Sequence, residues 1–151
     1  MRRYEMFPLF VPDMKIENIY ELTGELLEAI NIKVLIADLD NTIAKYEHEV
    51  PDERVSRWVE DLAVHGIKLA VVSNNKQARV EKFCKPLGIA HFWRSGKPSR
   101  RTIKKAMEEL GGTRETTALV GDKIITDIIG AKRSRILAIK VPPLGKRRMF
   151  E

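Results

Sequence analysis

Residues 33–42 read KVLIADLDNT, an apolar run that ends in two acids separated by one residue. A half-exposed strand would alternate apolar and polar residues, whereas the near-continuous hydrophobicity of 33–38 predicts a strand covered on both faces. The pattern returns at 67–73 (IKLAVVS), 117–121 (TALVG) and 136–141 (ILAIKV), with a shorter run at 89–93. Segments of helical spacing separate these runs. Val55, Trp58, Val59 and Leu62 follow Pro51, which is read as a helix start. Val80, Phe83, Cys84 and Leu87 form the next stripe, and Ile103, Ala106, Met107 and Leu110 the one after. A last helix is expected over 124–132, and Gly66, Gly88 and Gly111 supply stop signals.

Ahead of the first strand, Ile16, Ile19 and Tyr20 have helical spacing, and Thr23 suits the N-cap of a short helix through Leu26, Leu27 and Ile30. Residues 1–32 are therefore read as an N-terminal helical segment packed on a 33–141 core, with 142–151 as a basic tail. Strands alternating with helices of about ten to fifteen residues imply right-handed crossovers and a parallel sheet. The predicted fold is α/β, a three-layer α/β/α sandwich around a Rossmann-like sheet. A chain of 151 residues accommodates one such domain.

The composition, 44% hydrophobic and 32% charged, excludes a disordered or fibrous chain. The formal charge of +6 is unevenly spread, because 1–131 hold 20 bases and 20 acids while 132–151 hold seven bases and one acid. An overall basic character is thus excluded. Contact with an anionic membrane or RNA is an expectation for the tail alone. Cys84 is the single cysteine and cannot form an intramolecular disulfide. No secretory leader or membrane-spanning run is read, so the expected location is cytoplasmic, with a peripheral membrane position as a variant.

In parallel sheets of this kind ligands bind beyond the carboxyl ends of the strands. Those ends carry Asp38-Leu39-Asp40-Asn41-Thr42, Ser73-Asn74-Asn75, Gly96-Lys97-Pro98 and Gly121-Asp122, with Asp127 five positions later. Each motif alone fits a turn or a helix cap. Together they bring four carboxylates, a hydroxyl and an amine to one edge. Acids so placed repel one another unless a cation lies between them, and a hard divalent ion with oxygen ligands, most naturally Mg2+, resolves this. Asp38 and Asp122 are the expected ligands, with Asp127 acting directly or through water. Asp38 is then a candidate nucleophile on phosphorus and Asp40 a candidate acid and base. Ser73 and Lys97 would hold phosphoryl oxygens.

Those motifs resemble the haloacid dehalogenase superfamily of phosphatases. Residues 38–42 match its DxDx[TV] motif, Ser73 and Lys97 its second and third motifs, and residues 121–127 (GDKIITD) its GDxxxxD motif. LFVPD at 9–13, HGIKLAVVSNN at 65–75, PLGI at 86–89 and GDKIITDIIGAKR at 121–133 are similar to its YqeG-like subgroup, subclass IIIA. The resemblance implies a Mg2+-dependent phosphatase working through an aspartyl phosphate. Candidate catalytic residues are Asp38, Asp40, Ser73 and Lys97, and candidate phosphate-binding residues are Thr42, Ser73, Asn74 and Lys97. Candidate metal ligands are Asp38, the backbone carbonyl of Asp40, Asp122 and Asp127.

The spacing leaves no room for a cap domain, because 33 positions separate Asp40 from Ser73 and 24 separate Ser73 from Lys97. An open site favours a large or exposed phosphorylated substrate. Phosphatidylglycerophosphate is the lipid-borne candidate that the subgroup implies. Members of the family continue somewhat past the last strand, so a short or missing C-terminal element is expected here. Two other readings remain open at this point: an RNA- or ribosome-associated assembly factor on the same scaffold, and a receiver phosphorylated on aspartate.

Overall fold

A computed structural model describes residues 8–145. Most of the expected basic tail, with Lys146, Arg147 and Arg148, lies outside the described residues. Six parallel strands form one sheet: β1 Met14–Lys15, β2 Val34–Ala37, β3 Lys68–Val72, β4 Ala90–Phe92, β5 Thr117–Gly121 and β6 Leu137–Lys140. Their spatial order is β1-β6-β5-β2-β3-β4. β2 is central, with Ile36 level with Ala70 of β3 and Leu119 of β5.

The continuous apolar runs are explained by two cores. Side chains alternate across a strand. Leu35, Ala37, Leu69, Val71, Ala118, Val120 and Ile139 therefore face one way, against Leu27, Val55, Trp58, Leu62, Val80 and Phe83. Those partners lie on and around α1 Gly24–Ala29, α2 Glu53–Val64 and α3 Gln77–Cys84. Val34, Ile36, Ala70, Val72, Leu119 and Ala138 face the other way, against Ile103, Ala106, Ile128 and Ala131. The second layer is built by α4 Arg100–Glu109, a π-helical turn Ile124–Ile128 and α5 Ile129–Arg133. The three-layer sandwich is the architecture expected from the sequence.

Local chemistry fixes the element ends. Thr23 accepts a hydrogen bond from Leu26 N at 3.1 Å and caps α1 as predicted. α2 begins after Pro51 rather than on it, because the Asp52 carboxylate accepts from Val55 N at 2.9 Å and makes Asp52 the N-cap. The buried face of α2 is Val55, Trp58 and Leu62, each contributing about 1.5–3 kcal/mol on leaving water. The Trp58 indole N–H, buried with its ring, donates to Leu22 O at 2.9 Å.

The N-terminal segment is less helical than its spacing suggests. Ile19–Glu21 is only a 3-10 turn, and Met14–Lys15 adds an edge strand beside β6. Asp13 sets that register by accepting from Ala138 N at 2.8 Å and pairing with the buried Lys132 ammonium. Only turns, α2 and β3 lie between Asp40 and Ser73, and only α3, a 3-10 turn and β4 between Ser73 and Lys97. No inserted cap domain is present among the described residues. No described helix is long and apolar enough to cross a membrane.

Candidate active site

The loop after β2 curls tightly enough for Leu39 O to accept from Thr42 N, Ile43 N and Ala44 N. Asn41 makes the bend at φ 64°, a left-handed conformation that Asn tolerates better than most residues. The curl turns Asp38 and Thr42 toward the end of β5. The Thr42 hydroxyl donates to Asp122 Oδ1 at 3.0 Å and stands 3.4 Å from Asp38 Oδ2. Both were expected near one another. The hydroxyl of Thr42, a candidate phosphate ligand, is buried and orients two carboxylates.

Lys97 arrives from the loop after β4 and is buried. Its Nζ donates to Asp38 Oδ1 at 2.9 Å and to Asp127 Oδ1 at 2.7 Å. The other Asp127 oxygen accepts from Lys123 N at 3.1 Å. A Cβ on Gly121 would overlap the Asp127 carboxylate, so the glycine lets Asp127 fold back against the end of β5. Burial by itself would lower the Lys97 ammonium, but Asp127 and Asp38 outweigh it and raise its pKa. Burial and the nearby Asp38 push Asp122 up to about 6. Asp127 is likewise raised, first by burial and then by Asp38, against the opposing pull of Lys97.

Asp38, Asp122 and Asp127 each offer an oxygen within 4.8 Å of the others. The buried Lys97 ammonium and the more distant Lys123 ammonium, 3.9 Å from Asp122, face three carboxylates and leave a net negative charge. That donor set, all hard oxygen, fits a divalent cation of the Mg2+ type.

The Ser73 side chain is buried, and its Oγ accepts from Asn75 N at 3.0 Å. Asn74 braces the Lys97 loop. Its Oδ1 accepts from Ser95 Oγ at 2.6 Å and Lys97 N at 2.8 Å, while its Nδ2 donates to Lys97 O at 2.9 Å. The amide therefore holds the backbone of Lys97, and one Nδ2 hydrogen is left over on an exposed side chain. Asp40 accepts from Asn75 Nδ2 at 2.8 Å and from Arg79 Nε at 3.0 Å. Arg79 also reaches His48 O at 2.6 Å and Lys45 O at 3.2 Å, tying Asp40 to the 43–50 flap. Sequence reading missed Arg79, and a single base on the polar side of a helix carries no signal that would have singled it out.

The family model for haloacid dehalogenase-like hydrolases matches residues 10–141. The chain belongs to that family. It is 35% identical over 136 residues to the probable phosphatase YqeG of Bacillus subtilis, covering 90% of this chain and 79% of the relative. Among solved structures, the cobalt-bound deoxy-D-mannose-octulosonate 8-phosphate phosphatase of Haemophilus influenzae is similar at 26% identity and a TM-score of 0.53. The match covers 64% of this chain and 60% of that one. The 3-deoxy-D-manno-octulosonate 8-phosphate phosphatase of Moraxella catarrhalis, solved with magnesium ion, phosphate ion and KDO, shares the fold at 23% identity and a TM-score of 0.52. That match covers 66% of this chain and 63% of the other. Within the haloacid dehalogenase-like hydrolases this chain is a phosphatase.

Proposed function

We propose that the protein is a Mg2+-dependent phosphomonoesterase acting through an aspartyl phosphate on Asp38. The observation that carries this reading is the junction at Asp38, which shares Lys97 with Asp127 and lies in the same cluster as Asp122. Asp38, Asp122 and the backbone carbonyl of Asp40 would hold the cation, and Asp127, both of whose oxygens already accept bonds, would act through water. When bound, Mg2+ supplies charge neutralisation that lets an anionic phosphate approach an anionic nucleophile.

A carboxylate oxygen of Asp38 attacks phosphorus while the bond from phosphorus to the alcohol oxygen breaks, and Asp40 gives that oxygen a proton. Water then attacks the phosphoaspartate, returns a proton to Asp40 and frees Asp38 with release of phosphate. Lys97 and Ser73 stabilise the phosphoryl oxygens in transit. Proton transfer requires Asp40 to exchange its bond with Asn75 or Arg79 for one with the substrate.

A large or surface-borne phosphate is the proposed substrate, with phosphatidylglycerophosphate as the specific candidate. Support comes from the lack of a cap among the described residues and from a cavity of about 480 Å3 beside the flap. Ile43, Val50, Pro51, Phe83 and Leu144 give that cavity apolar walls beside the charged Lys45, Glu49, Asp52 and Arg54. The test is a Mg2+ titration over a panel of water-soluble phosphomonoesters and vesicles containing phosphatidylglycerophosphate. Phosphate release that needs Mg2+, favours the vesicle and disappears in Asp38→Asn is expected. Metal-independent turnover would overturn the mechanism, and preference for a small sugar phosphate would overturn the substrate.

A further inference from the structure

Beyond the reaction, the layer formed by α4 and α5 carries a second concentration of charge. A groove of about 270 Å3 there is walled by five cations: Arg100, Lys104, Arg114, Arg133 and Arg135. Ile103 and Met107 contribute its apolar surface, and no carboxylate lines it. Among the described residues none of the five is in an ion pair. Other bases are treated differently by the fold: Arg57, Arg79, Lys82, Lys85 and Lys132 each have a carboxylate partner. Five exposed cations without an ion-pair partner around one small concavity favour the entry of an anion, and they do so although Arg114 and Arg135 also border a neighbouring cavity that holds Asp13 and Glu115.

Arg135 adds an independent observation. It follows the end of α5 at φ 59°, where Ile136 N bonds to Ala131 O and Arg135 N to Lys132 O, each at 3.1 Å. This is the left-handed C-terminal cap that ordinarily selects Gly or Asn. A long β-carbon-bearing side chain is kept there against local preference, and it lines the groove.

Three of the groove's five cations lie away from the carboxylate cluster. Arg114 precedes β5, and Arg133 and Arg135 precede β6, so they lie toward the amino-terminal edge of the sheet. Asp38 and Asp122 follow the carboxyl ends of β2 and β5. A concave groove of about 270 Å3 suits a compact polyanion better than a flat bilayer. We propose that this groove binds a small soluble molecule bearing several linked phosphates, gripped by guanidinium forks at a site distinct from the reaction centre.

Calorimetric titration with inorganic tripolyphosphate, in chelator to keep divalent ions from the carboxylates, tests the site. Wild type and Asp38→Asn are expected to bind it equally, one per chain. Arg135→Gly should weaken binding by about tenfold or more while the unliganded protein melts no lower, since glycine removes both the charge and the backbone strain. Arg114→Ser should likewise weaken binding. No binding, unchanged affinity in both variants, or loss of binding in Asp38→Asn would each overturn the proposal. So would retention on phosphatidylglycerol vesicles, sensitive to these variants, in a protein that ignores tripolyphosphate.

Discussion

Arg79 donates from Nε to Asp40 Oδ1 at 3.0 Å while its other two nitrogens hold the carbonyls of His48 and Lys45. Its guanidinium also lies 5.4 Å from the Phe83 ring centroid and 5.9 Å from that of Tyr46. One mostly buried side chain thus joins the candidate acid, the flap and the first core. Removing it frees Asp40 and the flap together. Arg79→Ala should lower kcat for alkyl phosphates by about tenfold or more, in the range of a general-acid contribution. p-Nitrophenyl phosphate, whose leaving group needs no proton, should be affected much less, and Arg79→Lys should recover part of the loss. An equal fall on both substrates would mean that Arg79 only supports the fold.

Gly121 permits the position of Asp127, since a Cβ there would collide with the Asp127 carboxylate. Gly121 does not occupy a left-handed conformation, so alanine is compatible with the backbone and acts by steric displacement. Gly121→Ala should retain the α/β circular dichroism spectrum yet lose about tenfold or more in turnover, because Lys97 loses one of its two anchors. Full activity in this variant would show that Asp127 is dispensable for holding Lys97.

Lys97 neutralises Asp38 and Asp127 from within the protein. Lys97→Met keeps the length of the side chain and leaves two buried carboxylates facing each other. Chelated protein should be destabilised by about 3–5 kcal/mol in urea denaturation. Excess Mg2+ should restore part of that loss without restoring turnover. A variant as stable as wild type in chelator would refute the view that the ammonium is needed to balance the cluster.

Much of this was readable because the relevant signals are local. β2 is apolar throughout and β3 and β5 are so after their first residues, Lys68 and Thr117, a pattern that burial on both faces explains, and the motifs sit directly at their ends. The unreadable parts depend on partners far away in sequence. β1 exists because Asp13 meets Ala138 and Lys132, more than a hundred positions later. Thr42 and Asn74 have side chains suited to binding phosphate, and the fold also sets them against Asp122 and the backbone of Lys97. The π-helical turn Ile124–Ile128 is likewise hidden, since its apolar spacing reads as ordinary helix until Lys123 O must accept from both Asp127 N and Ile128 N.

Asp122 gives a pH dependence whose sign can be worked out. Its carboxyl is pushed from the ordinary 3.8 up to about 6, first by burial and then by Asp38. Between those values the folded protein binds more protons than the unfolded chain. Stability from this group is therefore present at low pH and lost as pH rises through about 4 to 6. Asp122→Asn removes the titration while keeping the volume. In chelator, the unfolding free energy of the variant minus that of wild type should grow across this window by about 1–3 kcal/mol, in favour of Asn. Adding Mg2+ at pH 7 should raise the wild-type melting temperature and leave the variant nearly unchanged, because metal binding and proton loss act on the same carboxylate. A difference that stays flat with pH would show that Asp122 is not protonated in the metal-free fold.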